Sequence, residues 1–210
     1  MSSTDETQRR AYWRHQMDEA HAFMCQMRDY PVNECGESFA DLRAAAAAAE
    51  VVVCFSDTKV VDDFDRIYWL RASLVDDLIA AARTMNERGW VLTFEDGYRS
   101  SEIQRRIGLQ DNIFDVVLQR VIWECEGKVP SPELMFRRMS ALIATNPKVG
   151  THVSGTAVDV SVHVLEAGAA GAELDRGGPY LELSELTPMA SPFVSAEAQR
   201  NRAEITAALK

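Results

Sequence analysis

The chain is short of positive charge. Its 210 residues carry 22 Lys and Arg against 32 Asp and Glu, a net charge of −10. A surface of that sign repels phosphate backbones, which argues against nucleic acid as a partner. No apolar run approaches the length of a bilayer span, so no membrane partner is expected. The N-terminus is polar and lacks the apolar core of a secretory signal, which points to the cytoplasm. Cysteine is sparse: the four, Cys25, Cys35, Cys54 and Cys125, include no C-x-x-C pair. That spacing suggests neither a zinc ribbon nor a dithiol redox motif. Without a secretory signal, the four are expected to be reduced thiols.

What is present has the composition of an ordinary globular protein. The length favours one domain, with residues 1–50 as a helical N-terminal extension packed on a core formed by 51–210. Apolar residues recur at helical spacing over 7–29, and Pro31 follows the end. Within that stretch His21 and Cys25 are four apart and share a helix face, usually no more than a surface or core pair. Six consecutive alanines make 39–50 a short helix. Val51 to Phe55 reads as a buried strand, and the acidic stretch Asp57 to Asp65 as a loop. The pattern is helical again over 66–88, closed by Gly89, and Trp90 to Phe94 forms a strand. Ser101 and Gln104 have capping-box spacing and open a helix expected to run on to about Glu126. Ser131, Pro132 and Glu133 start another, which runs to Ala144 and stops before Asn146-Pro147. Residues 165–178 read as a hairpin loop, and Ser195 as the cap of a last helix. Helix, glycine, strand and polar turn together indicate an α+β fold.

The stretch Gly150-Thr-His-Val-Ser-Gly-Thr-Ala-Val-Asp-Val-Ser-Val-His-Val164 carries the chemistry. From Thr156 it alternates strictly. Val158, Val160, Val162 and Val164 fall on one strand face, and Ala157, Asp159, Ser161 and His163 on the other. A carboxylate in mid-strand is unfavourable unless something pairs with it. His152 lies seven residues earlier, and Gly155 lets the chain bend between them. One reading has both side chains converging on a metal ion, zinc with an open coordination position being the best match for imidazole plus carboxylate. The other has Asp159 paired only with backbone or an arginine. Arg99, between a strand end and a capped helix, is placed either to aim its donors at an oxyanion or carboxylate or to pair with Glu95, Asp96 or Glu102.

Three segments resemble one family. His152-Val-Ser-Gly-Thr-Ala-Val-Asp159 resembles the H-x-x-G-x-A-x-D signature of the zinc D-alanyl-D-alanine dipeptidases and related D,D-carboxypeptidases. Glu95-Asp-Gly-Tyr-Arg-Ser-Ser101 resembles their upstream Y-R segment. Gly177-Gly-Pro-Tyr-Leu-Glu-Leu-Ser-Glu185 resembles the segment on the C-terminal side of the zinc motif in the dipeptidase branch. Order and spacing agree from roughly residue 65 onward. The resemblance implies a small, mostly antiparallel sheet flanked by helices. It implies a zinc cofactor held by His152 and Asp159, with Arg99 stabilising the developing oxyanion. The implied substrate is a small D-amino-acid peptide, D-alanyl-D-alanine above all, with Tyr98 and Asp175 beside it. Asp175, or alternatively Glu182 and Glu185, would hold the peptide's ammonium group. A longer peptidoglycan stem, cut by a D,D-carboxypeptidase, is the alternative substrate.

The family pattern continues with a strand bearing a Glu, the general base, and then a His, the third zinc ligand. Neither is in this sequence, so the site is expected to be incomplete at its C-terminal side. A fragment of a longer enzyme is the expected explanation; a natural truncation leaving a catalytically inactive peptide-binding paralogue, or a ligand supplied from elsewhere, including a second chain, are the alternatives. His163, four residues along the strand from Asp159, is about 13 Å away at ~3.3 Å per residue, too far to share an ion unless the strand bends.

Overall fold

The computed structural model describes residues 3–143, 148 and 151–210, with side chains from residue 5. The expected helix end at Ala144 and the break at Asn146-Pro147 lie outside the described residues. Contacts divide the chain into two compact units, each assembled from separate stretches. The first comprises 1–32, 104–150 and 177–195. The second comprises 33–103, 151–176 and 196–210, so residues 33–50 belong to the same unit as 51–103.

The first unit is helical: α1 (Ser3–Asp29), α5 (Asp111–Glu124) and α6 (Pro132–Ile143). Val117, Val121 and Met135 form its apolar centre. Much of the rest is held by charge. Glu124, 1% exposed, accepts from Trp13 Nε1 at 3.0 Å and from Arg138 Nε and Nη2 at 2.9 and 2.5 Å. Burial alone would lower the Arg138 pKa, but its bonds to Glu124 and Asp18 outweigh burial and raise it. Arg120 lies over the Trp13 and Trp123 rings and pairs with Glu185; burial pulls its pKa down to about 10.

The second unit contains both sheets. The larger has the order β2-β4-β5-β6, built from β2 (Val53–Phe55), β4 (Trp90–Asp96), β5 (Asp159–Glu166) and β6 (Ala169–Glu173). β2 and β4 are parallel, and the other pairs antiparallel. The smaller sheet pairs β1 (Phe39–Asp41) with β3 (Trp69–Arg71). Helices α2 (Leu42–Ala48), α3 (Ala72–Glu87) and α7 (Ala196–Ala208) belong to this unit too. Leu78, Ala82 and Met85 of α3 meet Leu92, Phe94 and Val162 of the sheet in one core. Val158 and Val160 pack against that core, as the strand's valine alternation requires. The architecture is α+β, with seven α-helices and two sheets among the described residues.

Several boundaries differ from the sequence reading, each for a local reason. Phe39–Asp41 is a strand, because Asp41 caps α2 by accepting from Arg43 N at 2.8 Å and Ala44 N at 3.3 Å. The helix expected from residue 66 begins at Ala72. The preceding Trp69–Arg71 is claimed by pairing with β1, a tertiary contact that outweighs helical periodicity. The cap of α4 (Ser101–Ile107) is Ser100, whose Oγ accepts from Ile103 N at 3.2 Å. Gln104 donates instead to Ile143 O, so the Ser101–Gln104 capping box does not form. The single helix expected from Gln104 to Glu126 is two, since Gln110 turns extended (φ −72°, ψ 129°) ahead of α5. Ser131 does cap α6, accepting from Leu134 N at 3.2 Å. Within 165–178, Ala167 and Gly168 make a two-residue turn with both φ positive, 49° and 82°. Such turns match the twist of paired strands, so β6 forms where loop was expected.

Candidate functional site

The site lies entirely in the second unit. His152 sits in a single 3-10 turn, Thr151–Ser154, and Asp159 opens β5. Gly155 reverses the chain between them with φ +74°. A side chain at Gly155 would run into the Phe39 ring, 2.3 Å from an ideal Cβ. The glycine thus supplies both a left-handed turn and a close approach. The result brings His152 Nε2 within 3.4 Å of Asp159 Oδ1.

The other imidazole nitrogen fixes the ring's chemistry. His152 Nδ1 lies 2.6 Å from the Gly97 carbonyl oxygen. A carbonyl only accepts, so Nδ1 carries a proton, and Nε2 is the nitrogen turned towards Asp159. Nε2 and Asp159 Oδ1 stand 3.4 Å apart. That is beyond the ~2.7–3.2 Å of a good N–H···O bond. It equals the separation of about 3.4 Å that tetrahedral bonds of ~2.0–2.2 Å from zinc to nitrogen and oxygen would impose. Orientation of a ligating histidine by a backbone carbonyl is the usual supporting arrangement.

Arg99 joins the pair from β4's exit. Its Nη2 donates to Asp159 Oδ2 at 3.2 Å and its Nε to Asp96 Oδ2 at 2.7 Å, while its backbone N–H donates to His152 O at 3.3 Å. Asp96, 1% exposed, also pairs with Arg66 Nη1 at 3.3 Å and accepts from Gly97 N at 2.9 Å. Both roles considered for Arg99 are therefore geometrically compatible: it is in an ion pair, and its charge stands beside His152 and Asp159. The register explains how Asp96 comes to lie across from Asp159. Thr93 faces Ser161, and then a bulge at Glu95 shifts the pairing so that Asp96 faces Asp159. Bulges commonly re-aim side chains in this way. Gly97 is compressed as well, because a Cβ there would lie 2.6 Å from Ile67 O.

The remaining candidates are dispersed. Tyr98 is half-buried, edge-on to Phe39 at 5.4 Å, and its N–H donates to Ile67 O. Asp175 is exposed just beyond β6, and its backbone oxygen accepts from Asn201. Glu182 and Glu185 belong to the first unit, where Glu185 is buried in ion pairs with Arg9 and Arg120. Those pairs give Glu185 a structural role in place of the suggested ammonium site. His163 bonds Thr93 through Nδ1 at 3.0 Å, and His21 contacts Cys25 at 3.7 Å. The four cysteines are free thiols. Sequence reasoning treats Asp96 only as one of several possible partners for Arg99 and overlooks Arg66. The signal is the unbroken Glu95-Asp-Gly-Tyr-Arg99 run at a strand end.

Among the described residues no group of three or more His, Cys, Asp or Glu is arranged to hold a metal ion. The pair therefore fits zinc in donor type and spacing but falls one donor short of the three that catalytic zinc usually takes. No helix among the described residues is long and apolar enough to cross a membrane. No family model matches the chain, and no curated protein matches it.

Proposed function

We propose that the second unit carries a metallopeptidase site of the D-alanyl-D-alanine dipeptidase kind, on the fold of those enzymes, acting on a short D-amino-acid peptide. The observation that carries the reading is the convergence of His152 Nε2 and Asp159 Oδ1, 3.4 Å apart and each held from behind. When bound, zinc supplies Lewis acidity towards a peptide carbonyl. The chain's own part is positional. Gly97 fixes the His152 tautomer, Arg99 steadies Asp159, and the Arg99 charge stands beside the pair where negative charge on a carbonyl oxygen would gain most. Among the described residues no third His, Cys, Asp or Glu accompanies the pair; a peptide-binding paralogue without catalysis is the second reading.

The experiment is zinc content after dialysis against metal-free buffer, followed by hydrolysis assays with zinc added. Free D-alanyl-D-alanine and a peptidoglycan-type pentapeptide are compared. Cleavage of the dipeptide supports the proposal, and cleavage of the pentapeptide alone makes the chain a D,D-carboxypeptidase. Zinc-stimulated peptide binding without cleavage selects the inactive paralogue.

A further inference from the structure

Arg71 breaks a local rule. It closes β3 and stands at the N-cap position of α3, where Ser, Thr, Asp or Asn would hold the first helical N–H groups. Its side chain makes no capping bond. Those N–H groups go elsewhere: Ala72 N donates to Ser38 O at 3.0 Å and Ser73 N to Glu37 Oε1 at 2.6 Å. The guanidinium reaches instead to the segment that carries His152. Its Nε donates to Ser154 O at 3.0 Å, and the Arg71 backbone N–H donates to Gly155 O at 2.9 Å. Nη1 donates to Glu37 O and Nη2 to Glu34 Oε2, so the fork spans the 34–37 loop and the turn. The same guanidinium lies over the Phe39 ring at 4.5 Å, and that ring fills the space beside Gly155. Local rules are broken most often where function requires it.

We infer that Arg71 is a positioning residue for the candidate site: its fork holds the backbone of residues 151–155 so that the His152 ring stays on Gly97 O and beside Asp159. Calling the pair a site rests on the function proposed above; the placing of His152 does not. The turn is gripped at both ends. Arg99 N and Gly155 N donate to His152 O at 3.3 and 3.2 Å, and Arg71 takes the Ser154 and Gly155 carbonyls. A four-residue 3-10 turn leaves its last carbonyls without partners of its own, and a cation suits that end. The ion pair with Glu34 contributes little, since Glu34 is 66% exposed. Lysine is no substitute, because one ammonium is a point donor whereas the fork reaches Ser154 O and Glu37 O together.

The test reads the His152 Nδ1–H proton, which is donated to Gly97 O at 2.6 Å. Proton NMR of the full chain, with a chelator present, should show it as a downfield ring N–H slow to exchange with water, assigned by its loss in His152→Gln. Arg71→Met and Arg71→Lys should each speed that exchange about tenfold or more, while the slow amides of the β4–β5 ladder keep their protection. Glu34→Gln should leave it unchanged. Where the native chain hydrolyses D-alanyl-D-alanine, Arg71→Met should lower kcat about a hundredfold with KM within about twofold. No such proton in the native chain, or one unchanged in Arg71→Met, would overturn the inference. So would joint loss of protection at the ring proton and the ladder amides, which would make Arg71 part of the general scaffold. Full retention in Arg71→Lys, or loss in Glu34→Gln, would overturn the grip of the fork in favour of charge alone. A raised KM at constant kcat would overturn positioning in favour of ligand contact. A native chain with the expected ring proton that neither binds nor cleaves the dipeptide overturns the proposed function and leaves the placing of His152 by Arg71 standing.

Discussion

Glu124 and Asp96 are both buried to 1% exposure and both are met by arginine, one in each compact unit. Trp13 and Arg138 take the Glu124 oxygens, and the buried Arg138 passes the interaction on to Asp18, whose side chain is 50% exposed. Glu124 is also the last residue of α5, where the helix dipole disfavours negative charge. The pairing therefore holds the helices together at the cost of burying charge. Asp96 grips Arg99, and Arg99 passes the interaction on to Asp159, which is 33% exposed. Both chains of charge lead towards solvent, and what sets the second apart is the imidazole it ends beside, His152 Nε2, 3.4 Å from Asp159 Oδ1.

The comparison breaks first at Glu124. Glu124→Ala leaves Arg138 buried without its main partner, and loss of one member of such a pair costs about 3–5 kcal/mol. Urea or guanidinium denaturation reads this directly, and a loss below about 1 kcal/mol would mean that the pair does not hold the unit. Next comes Gly155→Ala, which combines a left-handed backbone penalty of about 1–2 kcal/mol with a clash against Phe39. We expect about 2 kcal/mol or more. Part should be recovered in a Phe39→Ala background if the clash is real, as a double-mutant cycle would show.

A smaller effect is confined to alkaline pH. Tyr68 is buried with its hydroxyl at the Ser56 and Phe94 carbonyls, and burial raises its pKa from 10.0 to about 12. A folded-state pKa above the unfolded one contributes stability that is complete below pH ~10 and is lost as pH rises towards ~12. The contribution is about 1–2 kcal/mol. Tyr68→Phe should flatten that limb, and an unchanged pH profile would remove Tyr68 as its source.

The smallest effect on stability belongs to the candidate site. His152→Ala should change the unfolding free energy by less than about 1 kcal/mol, because the ring's polar contacts are few and partly solvated. On the proposed zinc reading, the same variant should lower zinc affinity at least a hundredfold, beyond the ~10–100-fold that supporting residues cost. A large stability loss with unchanged metal binding would place His152 with Glu124, as structure.

Much of the second unit is legible in sequence. The valine alternation of 158–164 and the helical stripe ending at Gly89 each follow from local periodicity. So does the juxtaposition of His152 and Asp159, because a glycine midway in seven residues is a local device. Trp69–Arg71 reads as helix in sequence because its strand state depends on β1, some thirty residues upstream. The capping role passes from Ser101 to Ser100 because the preceding bulge and the Gly97 contact set where the strand releases the chain.

The sequence by itself determined the helical and strand periods, the left-handed glycine between two metal-type donors, and the acidic balance. Those are properties of neighbours along the chain. Only the tertiary structure decided that Asp96 faces Asp159 across a bulge, that Gly97 O sets the His152 tautomer, and that Arg66 stands behind Arg99. It also decided that Glu185 is spent on Arg9 and Arg120. Each is a pairing between distant stretches, and identical local sequence is compatible with many such pairings until packing selects one.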